Sequence, residues 1–75
     1  MRRTFTADVE FDPDTRLYVG TVPGLPGAQS QGVTLDELQR NLREVIELIV
    51  EDKKASGEPI EVEPFVGIQL ITVPV

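Results

Sequence analysis

Residues Val22–Leu38 read VPGLPGAQSQGVTLDEL, and this stretch decides the fold. It begins with two proline-glycine turns, continues through a short polar segment and ends where a helix starts. Prolines fix φ and remove N–H donors, whereas glycines permit backbone angles that other residues avoid. Thr34 and Glu37 have the spacing of a capping box, which marks a helix N-terminus. The stretch therefore predicts a turn-rich connection, a short strand and a capped helix.

The helix predicted from this cap runs from Leu35 to Ala55. Its apolar residues recur at spacings of three and four, so they share one stripe of the helix surface. These residues are Leu35, Leu38, Leu42, Val45, Ile46 and Ile49. Gly57 and Pro59 end the pattern. Because the opposite face is charged, we expect the helix to pack one side against a sheet and to leave the other in solvent.

Three strands are predicted before the helix. Residues 4–11 alternate between apolar and polar side chains, as in a half-buried strand. A proline turn follows, and then come the predicted strands Leu17–Val22 and Ala28–Gln31. The alternation in the first strand predicts one buried face and one acidic face. The predicted buried face consists of Phe5, Ala7, Val9 and Phe11.

The segment Ile60–Val75 is β-prone and predicts a fourth strand around Ile68–Val73. A strand that follows a long helix returns most easily parallel to the first strand, through a right-handed crossover. The predicted fold is therefore α+β in the order β-β-β-α-β. Its mostly antiparallel four-stranded sheet has the strand order 3-2-1-4, with one helix on one face. We expect residues 1–75 to form a single domain.

Composition predicts self-association and a basic partner. A chain of 75 residues has a small core, burying about 60–65% of its unfolded surface, and this chain has no cysteine for disulfides. We therefore expect a homodimer or higher oligomer, formed by pairing of fourth strands or packing of sheet faces. The alternative is a monomer in which Pro74 and a charged neighbour blunt the edge of the sheet. Thirteen acidic and seven basic residues give a net charge of −6, which disfavours direct binding to nucleic acid. No signal peptide or membrane span is recognisable, so we expect a cytoplasmic protein.

The sequence predicts no enzyme activity and no cofactor. Without histidine or cysteine, Ser–His and Cys–His nucleophiles are impossible. The strongest catalytic candidate is the carboxylate row Asp8, Glu10, Asp12 and Asp14 as a magnesium site. The second and third strands add no acid to this row, so a solvated strand face is the simpler interpretation. The metal alternative predicts Mg²⁺ or Mn²⁺ binding that Asp8→Asn with Glu10→Gln abolishes.

The segment from Tyr18 to about Glu51 resembles the HicB family of antitoxins. The resemblance rests on Val22-Pro23, Leu25-Pro26-Gly27, Ser30-Gln31-Gly32-Val33-Thr34 and Glu37. Ala28 departs from the family pattern, where many relatives have a cysteine. The resemblance implies a partial ribonuclease-H-like fold and a non-catalytic antitoxin. Such an antitoxin binds and occludes a small basic HicA-type toxin, which cleaves messenger RNA with a catalytic histidine on a double-stranded-RNA-binding-like fold.

Four residues are predicted to contact a partner. Asp8 and Glu10 form the acidic strand face, and Leu25 and Pro26 lie on a proline-stiffened loop where we expect Leu25 to be exposed. The alternative for this loop is a rigid connector between strands. The alternative for the whole protein is a stand-alone oligomeric binding module with no cognate toxin, which binds extended segments by β-addition. Many HicB proteins carry a C-terminal DNA-binding domain; with no such segment before Val75, we expect no DNA binding.

Overall fold

The computed structural model of the chain describes residues 3–60 and 69–75. Three β-strands precede one α-helix in chain order: β1 (Asp8–Asp12), β2 (Leu17–Thr21), β3 (Gln29–Gly32) and α1 (Leu35–Ala55). The strands form one antiparallel sheet in the order β1-β2-β3. The predicted α+β class, the order of the first three strands and the bounds of the helix are confirmed.

The first strand is shorter than predicted, because it begins at Asp8 instead of residue 4. Asp8 lies opposite Thr21, the last residue of β2. Beyond Thr21 the chain turns into the loop of residues 22–28, so β2 offers no partner to residues 4–7. The alternation of apolar and polar residues correctly predicts a strand here. The length of that strand depends on where β2, its pairing partner, ends.

A tight turn joins β1 to β2 and sets their register. The Arg16 N–H donates to the Asp12 carbonyl oxygen at 2.7 Å, and the Asp14 N–H donates to the Asp12 carboxylate at 2.9 Å. Arg16 has a φ of 61°, in the left-handed region that glycine or asparagine more often occupies. The turn places Leu17 directly opposite Asp12.

Local chemistry fixes both ends of α1. At the start, the Glu37 N–H donates to the Thr34 hydroxyl oxygen at 3.1 Å, as the capping box predicts. At the end, Gly57 adopts a φ of 76° and its N–H donates to the Lys54 carbonyl oxygen at 3.2 Å. In the part of the chain that the structure describes, no helix is both long and apolar enough to cross a membrane.

Two glycines let the helix lie close to the sheet. A Cβ atom at Gly20 would be 2.6 Å from the Leu42 Cδ1 atom, and one at Gly32 would be 2.5 Å from the Leu38 backbone nitrogen. Both distances are shorter than van der Waals contact permits, so a side chain at either position requires movement of the helix or of its leucines. The helix therefore packs on β2 and β3 and leaves β1 outside the contact.

The hydrophobic core is small and lies between the sheet, the 22–28 loop and the helix. Its fully buried apolar residues are Val22, Leu25, Ala28, Leu38 and Leu42. Half-buried side chains pack around the loop cluster: Phe5, Ala7, Ile46 and Ile49. Leu35, the first residue of the predicted apolar stripe, is exposed because the helix first meets the sheet at Leu38.

The predicted fourth strand is not seen among the described residues. Residues 61–68, which include the predicted start at Ile68, lie outside them. Residues 69–75 are described and form no strand, since no described segment pairs with them. Among the described residues, no segment occupies the position beside β1 that the strand order 3-2-1-4 assigns to this strand.

Candidate partner-binding surfaces

The helix α1 covers one face of the sheet, and we call the opposite face the outer sheet face. Gly20 lies against the helix, and Val9 is its partner in β1, so Val9 is on the helix side. Because side chains alternate along a strand, Asp8 and Glu10 point to the opposite side. The outer sheet face comprises Asp8, Glu10, Asp12, Leu17, Val19, Thr21, Gln29 and Gln31.

The outer sheet face has acidic, apolar and amide bands. Glu10 lies opposite Val19, which lies opposite Gln31 on β3. In the next row, Asp8 lies opposite Thr21, which lies opposite Gln29. The face has three carboxylates along β1 and no basic side chain of its own. It therefore offers hydrogen-bond acceptors and negative charge beside the half-buried Leu17 and Val19, a combination that suits a basic protein surface.

The carboxylates of β1 differ in what they contact. Asp12 accepts the Asp14 N–H and so helps to close the β1–β2 turn. Glu10 is exposed and Asp8 is half-buried. Within residues 3–60 and 69–75, no three aspartate or glutamate side chains come together in a group that could hold a metal ion.

The predicted exposure of Leu25 is wrong. Its side chain is only 1% exposed and packs with Val22 and Ala28. Pro26, the next residue, is exposed as expected. Burying a leucine side chain stabilises a fold by roughly 1.5–3 kcal/mol, so a loop beside a small core turns its one large apolar residue inward. Leu25 therefore supports the core in this conformation, and Pro26 is the residue of the pair that a partner can reach.

Backbone hydrogen bonds hold the 22–28 loop closed around Leu25. The Val22 N–H donates to the Ala28 carbonyl oxygen at 2.9 Å, and the Ala28 N–H donates to the Leu25 carbonyl oxygen at 3.0 Å. Gly27 completes the loop with a φ of 86°. The inward turn had a signal in the sequence, since Leu25 stands between two turns whose flanking residues, Val22 and Ala28, are also apolar.

The exposure of the helix side of β1 is the structural feature that the sequence pattern did not reveal. Val9 and Phe11 are 44% and 51% exposed, whereas the alternation predicts that they are buried with Phe5 and Ala7. The reason is that the helix covers β2 and β3 but does not reach β1. The Phe11 ring packs edge-on against Tyr18, with 5.1 Å between ring centroids, and leaves the rest of its surface in solvent.

A groove continues from this uncovered margin, between residues 3–7 and the helix. We call it the β1 groove. Its apolar lining consists of Phe5, Ala7, Leu42, Ile46, Val50 and Ile60, and its charged residues are Arg3, Arg43, Glu47, Glu51 and Lys54. The Arg3 guanidinium donates to the Ile60 carbonyl oxygen at 2.9 Å. This hydrogen bond links the N-terminal side of the groove to the chain after α1. The β1 groove is a second surface on which an extended segment could lie.

The described residues form a three-stranded antiparallel sheet with one helix and an acidic outer face, which is the architecture of a small α+β protein. Residues 5–67 match the family described as UPF0150-like, and the chain belongs to that family. It is 42% identical to a UPF0150 protein of Thermotoga maritima over 73 residues, which covers 97% of this chain and 93% of the relative.

Two further relatives come from other lineages. A UPF0150 protein of Synechocystis is 43% identical over 75 residues, covering 96% of this chain and 97% of the relative. A UPF0150 protein of Archaeoglobus fulgidus is 41% identical over 69 residues, covering 92% and 93%. No solved structure matches the chain. Since these relatives are similar over nearly their whole lengths, the likeness covers the sheet, the 22–28 loop and the helix together.

Proposed function

We propose that this protein is a HicB-type antitoxin that binds a small basic HicA-type toxin and covers its RNA-binding surface. The outer sheet face carries this proposal, because it presents Asp8 and Glu10, has no basic side chain of its own and lies on the side of the sheet opposite α1. The motif resemblance over the 22–28 loop and the start of α1 supports the same partner. The net charge of −6 adds long-range attraction for a cationic protein.

Inhibition in this proposal is by occlusion, and the antitoxin contributes no chemistry. A protein that cleaves RNA needs a basic surface to hold the phosphate backbone. Carboxylates on the outer sheet face compete with phosphates for those cations. At a separation of 4 Å, the Coulomb energy of one such pair is about 1 kcal/mol in water. It is about 4 kcal/mol at the lower effective dielectric constant near a protein surface. The toxin's catalytic histidine becomes inaccessible when the two faces meet.

The proposal includes the complete fold and its assembly. A fourth strand lies parallel to β1, completing a partial ribonuclease-H-like sheet with the order 3-2-1-4. The protein assembles as a homodimer or higher oligomer in the cytoplasm. The open position beside β1 and the exposed apolar residues of the described tail support both statements, since each leaves apolar surface without a partner.

Purification of the tagged protein from its own host tests the proposal. We expect one small protein, rich in lysine and arginine and containing histidine, to co-purify in equimolar amount and to cleave RNA when separated from this chain. Its reading frame should lie beside the gene of this protein. Recovery of this protein without a basic partner would contradict the proposal.

Charge reversal locates the contact. Asp8→Lys with Glu10→Lys replaces two negative charges by two positive ones on the outer sheet face and changes the net charge from −6 to −2. Glu44→Lys with Asp52→Lys makes the same change on exposed positions of α1, away from that face. We expect the first pair to abolish co-purification at a salt concentration where the second pair retains it. Equal loss in both pairs would mean that only net charge matters and would contradict the assigned face.

The second candidate function is a binding module with no toxin, and the uncovered helix side of β1 favours it. Val9 and Phe11 border an edge of β1 with which no described strand pairs, the arrangement on which an extended segment of another protein adds as a strand. This candidate predicts that Asp8→Lys with Glu10→Lys leaves partner recovery unchanged and that Phe11→Ser reduces it.

A further inference from the structure

We propose that the β1 groove and the open edge of β1 receive residues 69–75 of a second copy of this chain, so that a symmetric dimer exchanges its C-terminal segments. This inference rests on the self-association included in the proposed function and deepens it by naming its surface and its occupant. In the dimer, the strand beside β1 in the order 3-2-1-4 comes from the second copy. We refer to residues 69–75 as the C-terminal segment.

The acceptor is the edge of β1, because the two edges of the sheet differ. At β3 the helix lies close, and the Asn41 side-chain amide donates to the Gln31 carbonyl oxygen at 2.8 Å. At β1, pairing occurs with β2 alone among the described strands, and alternate N–H and carbonyl groups of the free edge face outward. The exposed Val9 and Phe11 continue the apolar lining of the β1 groove along this edge.

The donor is the C-terminal segment, whose sequence is QLITVPV. It has no charged side chain, and Leu70 and Ile71 are 95% and 79% exposed. In an extended conformation Ile71, Val73 and Val75 share one side, which gives a continuous apolar row. An uncharged β-prone segment in solvent is an aggregation hazard unless it pairs with a strand. Its apolar row matches the apolar lining of the β1 groove.

The shape of the single chain favours a second copy over the chain's own segment. The molecule measures 49 × 26 × 19 Å with a radius of gyration of 14.5 Å, whereas a compact chain of this length has about 11 Å. No residue of the C-terminal segment lines the β1 groove of its own chain. In two copies related by a two-fold axis, each β1 edge pairs with the C-terminal segment of the other copy. Because this symmetry is closed, no further copies can add to the dimer.

The reach of the chain permits this exchange. Eight residues, 61–68, separate Ile60 at the groove from Gln69. A chain of that length spans at most about 26–29 Å, which is enough to cross from one small domain to a neighbour packed against it.

Cross-linking of the purified full-length protein tests the exchange. Because the sequence contains no cysteine, the cross-linker reacts with the introduced thiols alone. One chain carries Val9→Cys and a differently tagged chain carries Ile71→Cys; the two are refolded together and treated with a flexible bis-maleimide. We expect a covalent species that contains both tags. In the double variant Val9→Cys/Ile71→Cys we expect a covalent dimer. A cross-linked monomer in the double variant, or no cross-link in either experiment, would overturn the proposal.

Two matched comparisons sharpen the test. Ser30→Cys in place of Val9→Cys moves the acceptor thiol to β3 on the same, helix side of the sheet, where we expect no cross-link; an equal yield there would overturn the assigned edge. Ile71→Asp should raise the dimer dissociation constant, measured by sedimentation, by on the order of 100-fold. Thr72→Asp places the same charge on the other side of the segment and should change it by less than about tenfold. Equal effects would overturn the proposed orientation. Since these experiments contain no toxin, their failure leaves the antitoxin proposal to its own test.

Discussion

Gly32→Ala tests how closely the helix must approach the sheet. The added Cβ atom would lie 2.5 Å from the Leu38 nitrogen and 3.0 Å from both the Glu37 carbonyl carbon and the Leu38 Cα atom. All three atoms belong to the backbone of the first helical turn, so no side-chain rotation relieves the overlap. The φ of Gly32 is not positive, which means that alanine suffers no backbone strain of its own and the cost is steric.

The expected loss of stability is about 2–3 kcal/mol. Overpacking a well-filled site costs typically about 1–3 kcal/mol, and this contact falls at the upper end because the start of α1 must shift and displace Leu38, which is fully buried. A domain of this size has a free energy of unfolding of about 4–11 kcal/mol, so the loss is a large fraction of the total.

Guanidinium unfolding followed by circular dichroism measures the effect, with all variants at one protein concentration because self-association adds to stability. We expect the midpoint to fall by about 1 M. Gly20→Ala is the matched comparison. Its nearest neighbours are the methyl ends of Leu42 and Leu38, which can rotate, so its loss should be about 1 kcal/mol. Wild-type stability of Gly32→Ala, or a larger loss in Gly20→Ala, would refute the argument that the two glycines set the distance between helix and sheet.

The same unfolding measurement checks two further predictions. Leu25→Ala should cost about 2–5 kcal/mol because it empties a fully buried site, whereas Pro26→Ala on the exposed neighbour should change stability by less than about 1 kcal/mol; similar small losses in both would contradict the core role of Leu25. Thr34→Ala removes the hydroxyl that accepts the Glu37 N–H and should cost about 1 kcal/mol, while Thr15→Ala in the exposed β1–β2 turn serves as its control. An unchanged midpoint for Thr34→Ala would show that the cap contributes nothing to the helix.

Elements specified by neighbouring residues were predictable from the sequence. The bounds of α1 follow from the Thr34 cap and the Gly57 end, and the structure places both where these residues indicate. The alternation in β1 correctly put Asp8 and Glu10 on one face. In each case the decisive interactions join residues within a few positions of one another, so a single sequence contains the information.

Features that depend on distant parts of the chain were not predictable in the same way. The burial of Leu25 requires the cluster formed with Ile46 and Ile49 of the helix. The exposure of Val9 and Phe11 depends on how far the helix extends across the sheet, which the close contacts at the two glycines determine. Hydrophobic periodicity predicts neither the burial of Leu25 nor the exposure of Val9 and Phe11. Periodicity indicates on which face a side chain lies, but not which other element covers that face.

The acidic face was predictable as a surface but not as a site. Alternation gives the direction of Asp8 and Glu10, and composition gives the sign of the charge. The banded arrangement with Val19 and Gln31 beside them appears only once the register of three strands is known. In the proposed complex, the partner recognises this arrangement of charge, apolar surface and amides, whereas the net charge alone attracts any cation.

Titration of RNA cleavage tests the central claim most directly. The basic protein that co-purifies with this chain is separated from it, and its cleavage of RNA is measured while this chain is added back. We predict that cleavage and RNA binding fall together to background at an equimolar ratio. We also predict that Glu44→Lys with Asp52→Lys inhibits like the wild type, whereas Asp8→Lys with Glu10→Lys does not inhibit. Cleavage that persists at saturation, or full inhibition by the outer-face variant, would contradict occlusion by the outer sheet face.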